Sequence, residues 1–70
     1  MNFRELREHK RITPQHLAKL ADVNKQTIRQ IELGQIRHPT YKTVSKLAFV
    51  LDVPADEVHK AILASADAAQ

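Results

Sequence analysis

Hydrophobic positions along the chain recur with the period of an α-helix, in short segments separated by polar or proline-containing stretches. The clearest segment follows Thr40, where spacings of three and four residues define one apolar stripe: Tyr41, Val44, Leu47, Ala48 and Leu51. The pattern predicts helices over about Asn2 to Lys10, Thr13 to Ala21, Asn24 to Gly34, Thr40 to Leu51, and from Pro54 onward. The low content of glycine and proline also favours helices with short connections.

Several residues at the predicted helix ends are suited to those positions. Thr13 and Asn24 are good N-cap residues, and Gly34 suits the end of the third helix. The connection between the second and third helices is very short, so Asp22 must adopt the left-handed conformation there. The residues expected to face the core around this turn are Leu17, Ala18, Leu20, Val23, Ile28 and Ile31. Together these features predict one compact all-α domain over residues 1–65, followed by a frayed tail over residues 66–70.

Charge is distributed unevenly along the chain. Residues 1–46 contain ten Lys and Arg against four Asp and Glu, whereas residues 47–70 contain one Lys against four acidic residues. A basic front half indicates a surface for a polyanion, the alternative being a chance pattern that serves only solubility. The absence of cysteine excludes disulfides and thiolate metal sites, and favours a reducing cytoplasm. A membrane span and a signal peptide are not expected, because no long apolar run occurs and the first ten residues are highly charged.

The sequence shows no constellation typical of an enzyme. The four histidines lie at no metal-binding spacing from one another or from a carboxylate cluster, so no metal site is predicted. Without a nucleophile motif or a glycine-rich loop, catalysis, a cofactor and a small-molecule ligand are not expected. A small nuclease would need a carboxylate cluster to hold its metal, and the sequence lacks one.

Residues 13–34, TPQHLAKLADVNKQTIRQIELG, resemble the helix-turn-helix of the phage repressor and Cro-like family, often called XRE-type. The matching positions are Thr13, Leu17, Ala18, Val23, Thr27, Ile28, Ile31, Glu32 and Gly34. The resemblance extends over about Phe3 to Ile62 and implies a five-helix, lambda-repressor-like DNA-binding domain with the helix-turn-helix in helices 2 and 3. The sequence departs from the family at Pro14, where glutamine is common, at Asp22, where the turn glycine is replaced, and at Pro54, where a polar cap is usual.

The third helix carries the polar residues expected to read DNA. Glutamine can bind the edge of adenine at two points in the major groove, and arginine or lysine can bind guanine. The resemblance implies that the base-reading residues are Lys25, Gln26, Gln30 and Arg29. It also implies a set of surrounding phosphate contacts: Thr13, Gln15, Asn24, Thr27, Arg37, His38, Thr40 and Lys42. An ordinary solvated helix face is the alternative interpretation.

Two further features follow from the resemblance. An ion pair between Arg7 and Glu32 would fix the third helix against the first, the alternative being a solvent-exposed Glu32. A homodimer interface is expected near the end of helices 4 and 5, formed by Phe49, Val50, Val53, Ile62 and Leu63. The predicted function is sequence-specific binding of a double-stranded DNA operator, most simply as a repressor. The alternative is an antitoxin or adaptor whose main partner is another protein.

Overall fold

In a computed structural model of the chain, described over residues 1–69, all regular secondary structure is helical. The helices are α1 (Phe3–His9), α2 (Pro14–Ala21), α3 (Lys25–Glu32), α4 (Tyr41–Leu51) and α5 (Ala55–Ala68). The prediction of an all-α domain with five helices is therefore confirmed for the described residues. No helix among them is long and apolar enough to cross a membrane.

Side-chain caps define where most of the helices begin. In each of the first four helices a side-chain oxygen accepts a hydrogen bond from a backbone N–H of the first turn, and these caps are Asn2, Thr13, Asn24 and Thr40. Helix α5 follows Pro54, which makes no side-chain cap. Its first turn instead carries Asp56 and Glu57, whose negative charges are favourable near the positive end of the helix dipole.

Left-handed residues end two of the helices and permit sharp changes of direction. Asp22 ends α2 with φ of 54°, as the short connection predicts, and Asp52 ends α4 with φ of 58°. Arg11 adopts the same conformation in the connection between α1 and α2, with φ of 56°. These turns allow α3 to pack against α2, α5 and α1, while α4 packs against α2 and α5.

One continuous hydrophobic core lies between the helices. Its largest fully buried side chains are Phe3, Leu17, Ile28, Ile31, Leu47, Leu51, Val58 and Ile62. The predicted inward orientation is wrong for Leu20 and Tyr41, which are 55% and 79% exposed. Periodicity identifies one side of a helix, but it does not show whether a neighbouring helix extends far enough to cover each residue on that side.

Helix α5 contributes more to the core than its sequence suggested. Ile62 is fully buried in a stripe with Val58, Ala61, Ser65 and Ala66. Its predicted place in a dimer interface is therefore wrong, because a side chain with no exposed surface is unavailable to a second chain.

The predicted frayed tail is also wrong for residues 66–68, which continue α5 to Ala68. The Oγ of Ser65 accepts a hydrogen bond from the backbone N–H of Phe3 at 2.9 Å, in a buried position. Gly34, with φ of +77°, lies so close to the end of α5 that a Cβ there would be 2.6 Å from the Ser65 carbonyl oxygen and from the Ala69 Cβ. Small side chains thus permit the end of α5 to pack against α1 and the loop after α3. The last residue of the predicted tail, Gln70, lies outside the described residues.

Replacing Ser65 with alanine tests this closure. The buried N–H of Phe3 would lose its acceptor, so we expect Ser65→Ala to lower the free energy of unfolding by about 1–3 kcal/mol. Urea denaturation followed by circular dichroism measures the change. Ala68→Ser is the matched control, because it alters a similar volume at an exposed position of the same helix. Equal stabilities of the two variants would contradict the role assigned to Ser65.

Candidate nucleic-acid interface

The connection between α2 and α3 is rigid and fixes the angle between these helices. The backbone N–H of Val23 donates to the carbonyl of Ala18 at 3.0 Å, which closes the turn around left-handed Asp22. The Nζ of Lys46 on α4 donates to the Asp22 carbonyl at 3.4 Å and lies 3.9 Å from its carboxylate. Small, buried Ala18 and Ala21 allow α3 to come close to α2.

Helix α3 buries one side and exposes the other. Ile28 and Ile31 are fully buried, whereas Lys25, Gln26 and Arg29 are exposed and Gln30 is half-buried. Within residues 1–69, these four polar side chains have no side-chain partner, whereas Arg4, Arg7, Arg37 and Lys46 each pair with a carboxylate. The face is therefore free to bind a ligand that offers both acceptors and donors.

The Arg7–Glu32 ion pair implied by the resemblance is present and holds the end of α3. The Nε of Arg7 lies 2.7 Å from one carboxylate oxygen of Glu32, and its Nη2 lies 3.2 Å from the other. The remaining Nη1 donates to the carbonyl of Ile12 at 2.8 Å. Both charged side chains are largely buried, with 9% and 14% of their surface exposed. A bidentate pair of this kind restricts orientation as well as position.

The predicted phosphate contacts divide into two groups according to their present partners. Thr13, Asn24 and Thr40 use a side-chain oxygen to cap a helix. Thr13 and Asn24 retain a donor that can reach an anion, whereas the Thr40 hydroxyl donates to the Oγ1 of Thr43 at 3.1 Å. Lying beside helix N-termini, these donors sit where backbone N–H groups and the dipole also favour a phosphate. Gln15 and Lys42 are exposed, and Thr27 is half-buried.

The loop after α3 is attached to α5 rather than free. The Nη1 of Arg37 donates to Asp67 Oδ1 at 2.8 Å, in an exposed ion pair. The ring of His38 lies near that of His59 on α5, with centroids 5.6 Å apart. Both predicted phosphate contacts of this loop therefore already have a neighbour on α5, and Arg37 must leave or share Asp67 to bind DNA.

A shallow hollow of about 300 Å³ adjoins the exposed face of α3. Its lining residues are Arg4, Pro14, Lys25, Arg29, Glu32 and Leu33. Arg4 thus adds a third cation beside Lys25 and Arg29, a role the sequence interpretation did not assign to it. The sequence did contain an indication of this placement: Arg4 lies three residues before Arg7, and residues three apart are neighbours on a helix surface.

The remaining predicted site residues lie on α4, on α5 and in the turn between them. Phe49 is 87% exposed, while Val50, Val53 and Leu63 are half-buried. Among residues 1–69, no three histidine, cysteine or acidic side chains lie together so as to hold a metal ion.

Comparison with known families agrees with this geometry. The model of a helix-turn-helix family, the phage repressor and Cro-like or XRE type, matches residues 3–58. Searches of curated proteins and of solved structures found no match. The chain belongs to this helix-turn-helix family, whose members are DNA-binding transcription regulators and are generally not enzymes. The double-stranded DNA partner inferred from α3 is consistent with that membership.

The buried ion pair provides a stability test with an internal control. Arg7→Met keeps the apolar stem but leaves Glu32 buried without its partner, so we expect a loss of roughly 3–5 kcal/mol in the free energy of unfolding. Arg4→Met removes the exposed Arg4–Glu8 pair, whose N–O distance is 3.4 Å. This control should cost at most about 1 kcal/mol. Urea titrations compare the variants, and similar losses in both would contradict a special role for Arg7.

Proposed function

We propose that this protein is a transcriptional repressor that binds an inverted-repeat DNA operator as a homodimer. The observation that carries the proposal is the exposed face of α3, with Lys25, Gln26 and Arg29 unpaired on a helix fixed by the core. The major groove admits one helix, and these side chains suit the edges of guanine and adenine. Gln30 extends the same face. Occupying an operator excludes other proteins from that DNA, so repression is the simplest outcome in the cytoplasm, where the DNA lies.

The surroundings of α3 supply the complementary phosphate contacts. Thr13 and Thr40 stand at the N-termini of the helices on either side, with Gln15 and Lys42 next to them. Arg37 and His38 follow on the loop after α3. These contacts orient the domain without reading sequence, whereas the α3 side chains provide specificity. Two copies would place their α3 helices one turn of DNA apart, about 34 Å, on the two half-sites.

Comparing Gln26→Ala with Arg37→Ala tests this division of roles. Loss of a two-point base contact should cost Gln26→Ala roughly 1–3 kcal/mol on its preferred site and relax one base position. Arg37→Ala should weaken binding to all sequences alike and reduce the salt dependence by about one phosphate contact. Selection from randomised duplexes, followed by binding titrations at several salt concentrations, measures both effects. Identical profiles for the two variants would contradict the assignment.

The Arg37–Asp67 pair leads to an opposite expectation for the acidic partner. Asp67 competes with phosphate for Arg37, so Asp67→Asn should tighten binding to all DNA sequences, by up to about fivefold for an exposed pair. Asp56→Asn removes the same charge from an exposed carboxylate in the first turn of α5 and serves as the control. Titration with a duplex of unrelated sequence suffices as the measurement. An effect of Asp67→Asn no larger than that of the control would show that Arg37 does not contact phosphate.

A second candidate function is that of an antitoxin or adaptor whose main partner is a different protein. The observation in its favour is the exposure of Phe49 and Leu20, at 87% and 55%. A stable heterocomplex that buries Phe49, together with DNA binding that disappears as salt rises, would favour this function. Selection of an inverted repeat at physiological salt would favour the repressor.

A further inference from the structure

Two histidines that are distant in the sequence meet where the loop after α3 approaches α5. His38 lies in that loop and is exposed, and His59 lies on α5 and is half-buried. Their ring centroids are 5.6 Å apart, with an angle of 30° between the ring planes. Within residues 1–69, the loop and α5 share one side-chain hydrogen bond, between Arg37 and Asp67, and it leaves the nitrogens of both rings available.

The separation of the two rings suits a single metal ion between them. A histidine nitrogen binds zinc at about 2.0–2.1 Å, which puts the ring centroid roughly 3.2 Å from the ion. Two such rings at a tetrahedral angle have centroids about 5.2 Å apart, and a slightly wider angle gives the 5.6 Å between His38 and His59. Because His38 is exposed, its ring can turn to direct a nitrogen towards the ion.

The backbone fixes the positions of both histidines before any ion binds. His38 precedes Pro39, and a proline ring restricts the backbone of the residue before it. On the other side of His38, Arg37 is tied to α5 by its ion pair. His59 follows Val58, which is fully buried in the core. Ligands on a fixed backbone lose little conformational entropy on binding, and this favours chelation by both rings.

Charge at this end of the chain also favours a cation. Residues 47–70 contain one Lys against four acidic residues, and Asp56 lies three residues before His59, a neighbouring position on the surface of α5. Among residues 1–69, no third histidine or acidic side chain lies close enough to complete a three-ligand site. Imidazole nitrogens bind zinc, copper and nickel, whereas magnesium and calcium prefer oxygen ligands.

We propose that His38 and His59 form a binding site for a divalent transition-metal ion, whose remaining coordination positions are filled by water. An ion held there joins the loop after α3 to α5, as the Arg37–Asp67 ion pair does. The sequence alone does not reveal this site, because its two ligands lie in different elements and show no metal-binding spacing. The inference does not depend on DNA binding.

Calorimetric titration of the protein, free of any affinity tag, with Ni²⁺ tests the site. We expect the wild type to bind one ion per chain. Loss of one of two chelating ligands should raise the dissociation constant about tenfold or more, both in His38→Asn and in His59→Asn. His9→Asn and His16→Asn are the matched controls, because these histidines are exposed on α1 and α2, and they should leave the dissociation constant unchanged.

Paramagnetic broadening by Cu²⁺ locates the bound ion independently. In amide NMR spectra of the wild type, the signals of residues beside His38 and His59 should broaden at the lowest Cu²⁺ concentrations. Ni²⁺ should raise the melting temperature of the wild type, because a ligand that binds the folded state stabilises it, but not that of His59→Asn. Circular dichroism without metal checks that each variant is folded.

Three results would overturn the proposed site. The first is equal Ni²⁺ affinity in all four single variants, or in the wild type and the double variant His38→Asn/His59→Asn, which would mean that the two rings only pack against each other. The second is Cu²⁺ broadening centred on His9 or His16. The third is one ion for every two chains, which would place the ion between copies. Since none of these measurements involves DNA, failure of the proposed function would leave their outcome unchanged.

Discussion

The ion pair between Arg7 and Glu32 is the contact on which the geometry of the candidate DNA-binding surface depends. It joins α1 to the last residue of α3, and through Ile12 it also holds the connection that leads into α2. A carboxylate at the C-terminal end of a helix opposes the helix dipole, so Glu32 is unfavourable there without a cation. Because removing either partner leaves an uncompensated buried charge, the pair restricts α3 to one orientation.

Helix α3 divides its surface between a side that packs in the core and a side that stays exposed. Ile28 and Ile31 anchor α3 in the core, and the opposite side carries long polar residues whose side chains make no hydrogen bond or ion pair within residues 1–69. A free polar face on a rigid support binds with a smaller loss of conformational entropy than a mobile one. The cations around it, including Arg4 beside the hollow, add an attraction to phosphate that depends on salt but not on sequence.

Helix α5 links the candidate DNA-binding surface to the rest of the domain. Its last turns accept the N–H of Phe3, pack against Gly34 and hold Arg37 through Asp67. Gly34 and Arg37 belong to the loop that follows α3, so the end of α5 determines where this loop lies. The carboxylate of Asp67 at that end both holds the loop and offsets the positive charge of Arg37.

The sequence by itself determined the helices, the caps Thr13 and Asn24, the left-handed turn at Asp22 and the residues of the α3 face, because these depend on local periodicity and on neighbouring residues. The resemblance also led to Arg7 and Glu32 before any distance was known. Only the tertiary structure decided that Ile62 is buried, that Leu20 and Tyr41 are exposed, and that Ser65 and Ala66 close the core. These outcomes depend on how the helices pack against one another, which local periodicity does not determine. Small residues such as Ser65 and Ala66 also contribute little to a hydrophobic pattern, even where close packing requires them.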